Sequence, residues 1–293
     1  MKDQILSHVI AYDGVSFAGP KRKIDGFHPR PGQLAPRAEE PSTNNIKRLA
    51  WLTPLHSRTE SQGLFPILAN GQVETFRPNT AQHGDALTLL QSLPDGWSPL
   101  VFFDPQYRGV LDKLAYGNEG ARQRGRFNLP AMSSDYIDSC CREIARVLMP
   151  SGYLMRWSDT FHLCEADHLR ITEVKCVDLI AWDSLILAMG YRSRRRGDYL
   201  LVLQKPPIIA KTWRDHGIPN RWPEKVGRRL HPHAKPIGLI KRLIGAVTTP
   251  GDLVVDPAAG GFGVMHAAVE LGRDFIGADI AWPREREANC VVL

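Results

Sequence analysis

No Cys-x-x-Cys pair occurs in the 293 residues, and the five cysteines (Cys140, Cys141, Cys164, Cys176 and Cys290) are odd in number, with two adjacent. That pattern excludes a disulfide framework and a zinc knuckle, and it fits a reducing compartment. His162, Cys164, His168 and Cys176 have the spacing of no familiar metal site, so no metal is expected. No apolar run reaches the ~20 residues that span a bilayer. The amino terminus lacks the succession of basic region, apolar stretch and small-residue cleavage site that marks a signal peptide. The expectation is a soluble cytoplasmic protein with no membrane contact. The glycines clustered at 260–263 do not follow the order Gly-x-Gly-x-x-Gly, and no P-loop lysine follows them. Neither a dinucleotide nor a nucleoside triphosphate is therefore supported. There is no internal repeat.

What is present suits one large α/β domain or two small ones, and an apolar content of 43% is enough for a substantial core. The net charge of +6 leans towards an anionic partner. The charge is gathered rather than spread: Lys21-Arg22-Lys23, Arg192 with Arg194, Arg195 and Arg196, and the run from Arg221 to Arg229. Residues 1–71 are broken by many prolines and read as an irregular arm, either a surface wrap or a contact through Lys21, Arg22 and Lys23.

From residue 72 the pattern becomes regular. Gly84 to Leu93 has apolar residues at helical spacing with Asp85 as its capping residue, and Pro94-Asp95-Gly96 ends it. The apolar run Pro99–Phe103 predicts a strand that delivers Asp104, Pro105, Gln106 and Tyr107 at its carboxyl end. A carboxylate, a rigid turn and an aromatic ring there are the parts needed to grip a flat, amino-bearing ring. Residues 108–130, rich in Gly, Arg and Asn, predict a long mobile loop of the kind that serves as a lid. A helix capped at Ser133-Ser134-Asp135 follows, burying Ile137, Cys141, Ile144, Val147 and Leu148, and then a strand at 153–157. Strands at 177–182 and 199–203 flank the arginine cluster and predict a hairpin with a basic tip. Residues 205–234 read as irregular. A helix (236–247), a strand (253–255), a glycine turn, a helix (263–271) and a strand (274–278) close the chain. Alternating strands and helices imply a doubly wound, mostly parallel α/β sheet.

In such a sheet ligands sit at the carboxyl ends of the strands, where glycine lets backbone approach them. Asp256, Gly260, Gly261 and Gly263 fill that pattern, and Asp279 ends the next strand. The glycine turn begins near residue 256 of 293, so the remaining strands come from earlier in the sequence, and 80–104 is the natural continuation. The ligand half lies at the back of the chain and the half bearing Asp104 at the front. This is a permuted order.

Two stretches carry a resemblance to a known family. They are Gly84-Asp85 through Asp104-Pro105-Gln106-Tyr107, and His231-Pro-His-Ala-Lys235-Pro236 through Leu253-Val-Val-Asp256-Pro-Ala-Ala-Gly260 to Gly263 and Asp279. Together they resemble the amino-group (N6-adenine/N4-cytosine) DNA methyltransferases in their permuted beta class, over roughly residues 80–280. The resemblance implies a Rossmann-like methyltransferase sheet in circularly permuted order. Residues 72–204 would form the catalytic half, 205–234 a target-recognition segment, and 235–293 the half that binds S-adenosylmethionine. It implies that Asp256, Gly260, Gly261 and Gly263 hug the methionine part of that cofactor and that Asp279 takes the ribose hydroxyls. Asp85 would take the adenine amino group, and His231 to Lys235 would reach the carboxylate end. Two positions depart from the family pattern: Gln106 where a second proline is usual, and Ala258 where a phenylalanine is common. Phe262 is the neighbouring candidate to supply that ring.

The implied reaction is transfer of the methyl group to an exocyclic amine of a base flipped out of double-stranded DNA, by direct displacement. The Asp104 carboxylate and Pro105 carbonyl accept the amine hydrogens, and Tyr107 stacks on the base. Within the family an aspartate at the first motif position goes mainly with adenine, so Asp104 favours N6 of adenine over N4 of cytosine. Arg108, Arg122, Arg124 and Arg126 in the long loop, with Arg192, Arg194, Arg195 and Arg196, are the candidate DNA contacts. A homodimer is a family-level expectation. An RNA methyltransferase and an inactive, fold-retaining binding module are the competing readings.

Overall fold

The computed structural model describes residues 76–107, 131–187, 193–227 and 234–282. The expected amino-terminal arm (1–71) and the expected loop at 108–130 lie outside the described residues. Among the described residues no helix is long and apolar enough to cross a membrane.

Helix α1 (Ala86–Ser92) starts where Asp85 accepts a hydrogen bond from the Thr88 amide, and it buries Ala86, Leu89 and Leu90. Strand β1 (Ser98–Phe103) is buried along nearly its whole length. Helix α2 (Ser134–Val147) is capped by the Ser133 hydroxyl, which accepts from the Tyr136 amide. Its buried face includes Ile137, Cys141, Ile144 and Val147, the residues its 3.6-residue period selects. Strand β2 (Leu148–Ser158) leads into a short helix, α3 (Thr160–Cys164). Strands β3 (Lys175–Asp183) and β4 (Gly197–Gln204) pair antiparallel across the arginine cluster, as the sequence predicts for a hairpin. A three-residue strand, β5 (Arg221–Pro223), follows inside the stretch expected to be irregular. It pairs in parallel with β3. Three residues ending in proline carry no readable period, which is why the sequence hides it. Helix α4 (Ile237–Val247), strand β6 (Leu253–Asp256), helix α5 (Gly263–Glu270) and strand β7 (Asp274–Gly277) complete the order.

The seven strands form one sheet in the order β5-β3-β4-β2-β1-β6-β7. β1 is parallel to β2 and β6, β6 to β7, and β3 to β5, whereas β4 runs antiparallel to both its neighbours. Alternate residues of β1 feed two cores. Val101 and Phe103 pack with α1 and α2, while Leu100 and Phe102 pack with α4 and α5 on the opposite face. Each fully buried phenylalanine contributes roughly 1.5–3 kcal/mol, so β1 anchors both layers.

The site follows from this topology. The chain leaves β1 through α2 to reach β2 on one side, and leaves β6 through α5 to reach β7 on the other. The two crossovers part between β1 and β6, whose carboxyl ends deliver Asp104 and Asp256 next to each other. That is the switch point at which open α/β sheets bind ligands. The strand of the glycine turn thus follows the strand of Asp104 in sequence and flanks it in space.

Candidate active site

A cavity of about 470 Å³ opens at the switch point, within the range of small-molecule sites. Asp104 and Gln106 border it from the end of β1, and Asp256, Ala258, Gly260, Gly261 and Gly263 from the glycine turn. Lys235 borders it from the approach to α4, Asp279 from the end of β7, and Trp157 from β2. Most of the residues selected by sequence as catalytic or cofactor-binding therefore meet at one place. His231 and the arginines at 108, 122, 124, 126 and 192 lie outside the described residues.

The glycine turn is shaped by local bonds. Gly260 sits at φ +54°, the left-handed region that a Cβ disfavours, and its amide donates to Asp279 Oδ2 at 2.9 Å. Asp279 Oδ1 accepts from the Ala281 amide at 2.9 Å, which fixes the carboxylate at the cavity edge. The chain just before α1 is tied to the same strand end: the Gly84 amide donates to the Asp279 carbonyl at 3.3 Å. A Cβ on Gly84 would come within 2.5 Å of the Phe76 ring and 2.9 Å of the Ala278 Cβ, so only glycine fits that approach.

Asp256 is buried. Burial first, and then the nearby Asp104 and Asp279 charges, push its carboxyl well above the usual carboxylate range, against a bond at 3.3 Å from the Ala258 amide. Four carboxylates (Asp104, Glu224, Asp256 and Asp279) line the cavity against two lysines, Lys225 and Lys235, an excess of acid suited to a ligand that brings positive charge.

Lys235 is held more tightly than the sequence implies. Its ammonium lies 3.1 Å from Asp104 Oδ2 and 3.3 Å from Asp198 Oδ2, with the Trp157 ring centroid 4.9 Å away. Burial lowers its affinity for the proton, but the Asp104 and Asp198 charges outweigh burial and the net shift is upward. Lys235 thus spends its charge on two aspartates rather than presenting it to the open cavity.

Three further candidates do not border the cavity. Tyr107 is not on the cavity wall. It is 6% exposed, its hydroxyl donates to the Trp157 carbonyl at 2.8 Å, and its ring lies 4.0 Å from that of His162. The lining residues with large aromatic side chains are Phe102 and Trp157, which no local pattern marked as site residues. Phe262 does not replace a ring at Ala258. At φ +55° it turns into the core and meets Phe275 and Trp282 edge to face. Asp85 is engaged as a cap, with one oxygen on the Thr88 amide and the other accepting from the Tyr136 hydroxyl.

The described arginines of the hairpin are exposed but not idle. Arg195 pairs with Asp198, Arg196 with Asp183 at 2.7 Å, and Arg194 donates to the Leu187 carbonyl. Glu224 is a residue that sequence reasoning missed. Pro236 offers no side-chain cap to α4, and Glu224 supplies one from upstream, accepting from the Gly238 and Leu239 amides at 2.9 and 3.1 Å. Glu224 also borders the cavity, which couples the segment at 205–234 to the helix above the site.

Known proteins match this arrangement. The DNA methylase family of N6/N4 methyltransferases matches residues 190–289. The Type II methyltransferase M.HhaII of Haemophilus parahaemolyticus is 46% identical over 201 residues, which is 67% of this chain and 88% of that protein. The chain belongs to the N6/N4 DNA methyltransferase family. The DNA adenine methyltransferase YhdJ of Escherichia coli (strain K12) is 28% identical over 240 residues, covering 69% of this chain and 78% of its own. Among solved structures, the PvuII DNA methyltransferase (cytosine-N4-specific) superposes with a TM-score of 0.54 at 17% identity, over 68% of this chain and 81% of that one. A putative DNA modification methylase from Thermus thermophilus, complexed with S-adenosyl-L-methionine, gives 0.52 at 21% identity, over 72% and 90%. These two likenesses establish the shared methyltransferase fold. This methyltransferase uses S-adenosylmethionine, the cofactor of its family, and acts on DNA.

Proposed function

We propose that the chain methylates the exocyclic N6 of adenine at a specific site in double-stranded DNA, taking the base after it has been flipped out of the helix. The observation that carries this reading is the meeting of Asp104 and the glycine turn in one cavity at the switch point. The aspartate at the first motif position supports adenine over cytosine, and the adenine enzyme YhdJ is among the relatives. The order of the two halves along the chain fits the permuted class.

The residues fit the cofactor on the chemistry of their donors. Burial and the nearby Asp104 hold the carboxyl of Asp256 above the usual carboxylate range, and a neighbouring positive charge would bring it down again. The Asp279 carboxylate stands at the strand end, ready for paired hydroxyls, and Gly260 to Gly263 leave the backbone open to close approach. When bound, the cofactor supplies an electrophilic methyl group on a positively charged sulfur.

The amine of adenine is a poor nucleophile because its lone pair is delocalised into the ring. The Asp104 carboxylate accepts one amine hydrogen and the Pro105 carbonyl the other, which favours a pyramidal nitrogen with its lone pair in line for displacement. Lys235 fixes the rotation of the Asp104 carboxylate from the side. Trp157 lies behind the wall, buried and covered by the Lys235 ammonium, and so backs the lysine rather than stacking on the base. Tyr107 supports the turn from beneath through the Trp157 carbonyl. Exposed Arg194, Arg195 and Arg196, together with the arginines of the 108–130 stretch, are the proposed backbone contacts.

Incubating the enzyme with S-adenosylmethionine and either duplex DNA or RNA, then separating the nucleosides by mass spectrometry, tests the reading. N6-methyladenine in the DNA is expected. N4-methylcytosine would overturn the base assignment, and methylation of RNA alone would overturn the substrate.

A further inference from the structure

We propose that Asp198 is a positioning residue for methyl transfer: it pins Lys235 against Asp104 and thereby holds the carboxylate that receives the amine of the base. The proposal rests on the role given to Asp104 above. Asp198 is the second residue of β4, the strand that runs against the rest of the sheet. It belongs to none of the motifs that mark this family in the sequence.

The geometry is that of a closed cluster. The Lys235 ammonium touches Asp104 Oδ2 at 3.1 Å and Asp198 Oδ2 at 3.3 Å, and the Trp157 ring covers it with its centroid at 4.9 Å. An ammonium has three donor directions, and two carboxylates and a ring face occupy its surroundings on three sides. The side chains of Lys235 and Asp198 are only 17% and 13% exposed, and that of Asp104 is 32% exposed. The inner two are fixed in the protein while Asp104 faces the cavity.

Asp198 acts on the site in two ways. Mechanically, it anchors the lysine to a β-strand, so Asp104 is braced against the sheet rather than against a mobile four-carbon chain. Electrostatically, Arg195 balances part of the Asp198 charge from outside, and Lys235 divides its own charge between Asp198 and Asp104. Asp104 then keeps the acceptor strength that a private ion pair with Lys235 would drain. The charged groups around the lysine are Asp104 and Asp198 themselves, with Arg195 from the hairpin touching Asp198 on its outer side and Asp256 beyond Asp104. Losing the Asp198 charge removes one of the two interactions that keep Lys235 protonated. Its proton then leaves at lower pH.

The test is Asp198→Asn, which keeps the shape and removes the charge, measured beside Asp198→Glu, Asp104→Ala and the unaltered enzyme on duplex DNA across the pH range. For D198N we expect kcat to fall by about tenfold or more through loosened alignment, with KM for DNA and cofactor affinity within about threefold. The alkaline limb of kcat should move to lower pH. D198E, which restores the charge with a longer arm, should keep the alkaline limb where the unaltered enzyme has it, with an intermediate kcat. A folded D198N with unaltered kcat, or one whose loss appears in cofactor affinity with the alkaline limb unmoved, overturns the proposal. If D198N does not fold, D198E decides alone: unaltered kcat overturns, and a reduced kcat with an unmoved limb supports. Retained transfer in D104A would instead sink the reading of Asp104, whatever Asp198 does.

Discussion

Replacing Asp104 by asparagine separates chemistry from binding in this enzyme. The substitution keeps the size of the side chain and an oxygen able to accept from Lys235 at about the same place, but it removes the charge that receives the amine hydrogen. Loss of one preorganised partner of this kind costs roughly 100- to 1000-fold in kcat, about 3–4 kcal/mol. The structural cost is much smaller. Asp104 is partly open to solvent and Lys235 keeps Asp198, so a charged hydrogen bond becomes a neutral one, at a cost of about 1 kcal/mol. In a domain of this size that lowers Tm by about 2–4 °C. Cofactor affinity should hold or improve, because Asp104 is the second cause, after burial, of the high Asp256 carboxyl, and its removal lets Asp256 release its proton more readily. Single-turnover transfer of a radiolabelled methyl group to duplex DNA reads the chemistry, calorimetry the cofactor, and thermal melting the fold. A D104N enzyme within about fivefold of the unaltered kcat, or a folded one that no longer binds cofactor, would refute the reasoning.

Other predictions follow from neighbouring features. The affinity for S-adenosylmethionine should rise as pH climbs from the ordinary carboxylate range through the raised value of Asp256. A cation binds best to the ionised acid, and the unliganded fold loses stability over the same window because the unfolded chain has already released that proton. Asp256→Asn should flatten this dependence in calorimetry, and the demethylated product, whose sulfur is neutral, should show less of it. Below the site, Arg156 and Asp167 form a buried ion pair at 2.7 Å, with Nε and Nη1 of the arginine unpartnered among the described residues. Asp167→Asn should destabilise by about 3 kcal/mol, a loss of roughly 6–12 °C in Tm; an unchanged melting curve would contradict it. Ala258→Phe places a ring on the cavity wall where Phe262 does not reach, and should tighten cofactor binding about fivefold through ~1 kcal/mol of aromatic contact. Weaker binding would show that the small residue is required there.

The features legible in the sequence are those encoded locally. Asp85 before a helical period, the apolar run into Asp104 and the glycines after β6 each declare themselves within a dozen residues, and the structure puts Asp104 and the glycines in one cavity. What the sequence hid depends on which strands become neighbours. Lys235 reads as a lysine for the cofactor's carboxylate, yet β1 and β4 bring it two aspartates, one of them 37 residues away in the chain. Tyr107 reads as a ring for the base, but burial against His162 and a bond to the Trp157 carbonyl turn it inward. Glu224 and β5 lie in a stretch without period, and only the missing cap of a helix beginning after proline could have signalled them. The arginines of the hairpin show the same limit, since their sequence gives charge but not the aspartates they meet.

In the proposed reaction the Asp104 carboxylate, set beside the glycine turn, holds the amine of adenine in DNA while the enzyme transfers the methyl group. Sequencing the DNA of a host that expresses the chain, with a method that reads modified bases directly, and comparing it with a host that expresses the Asp104→Ala variant, tests that claim most directly. The account predicts N6-methyladenine at one recurring sequence with the unaltered chain and its disappearance with the variant. N4-methylcytosine at the recurring sequence, or methylation that persists without Asp104, would contradict it.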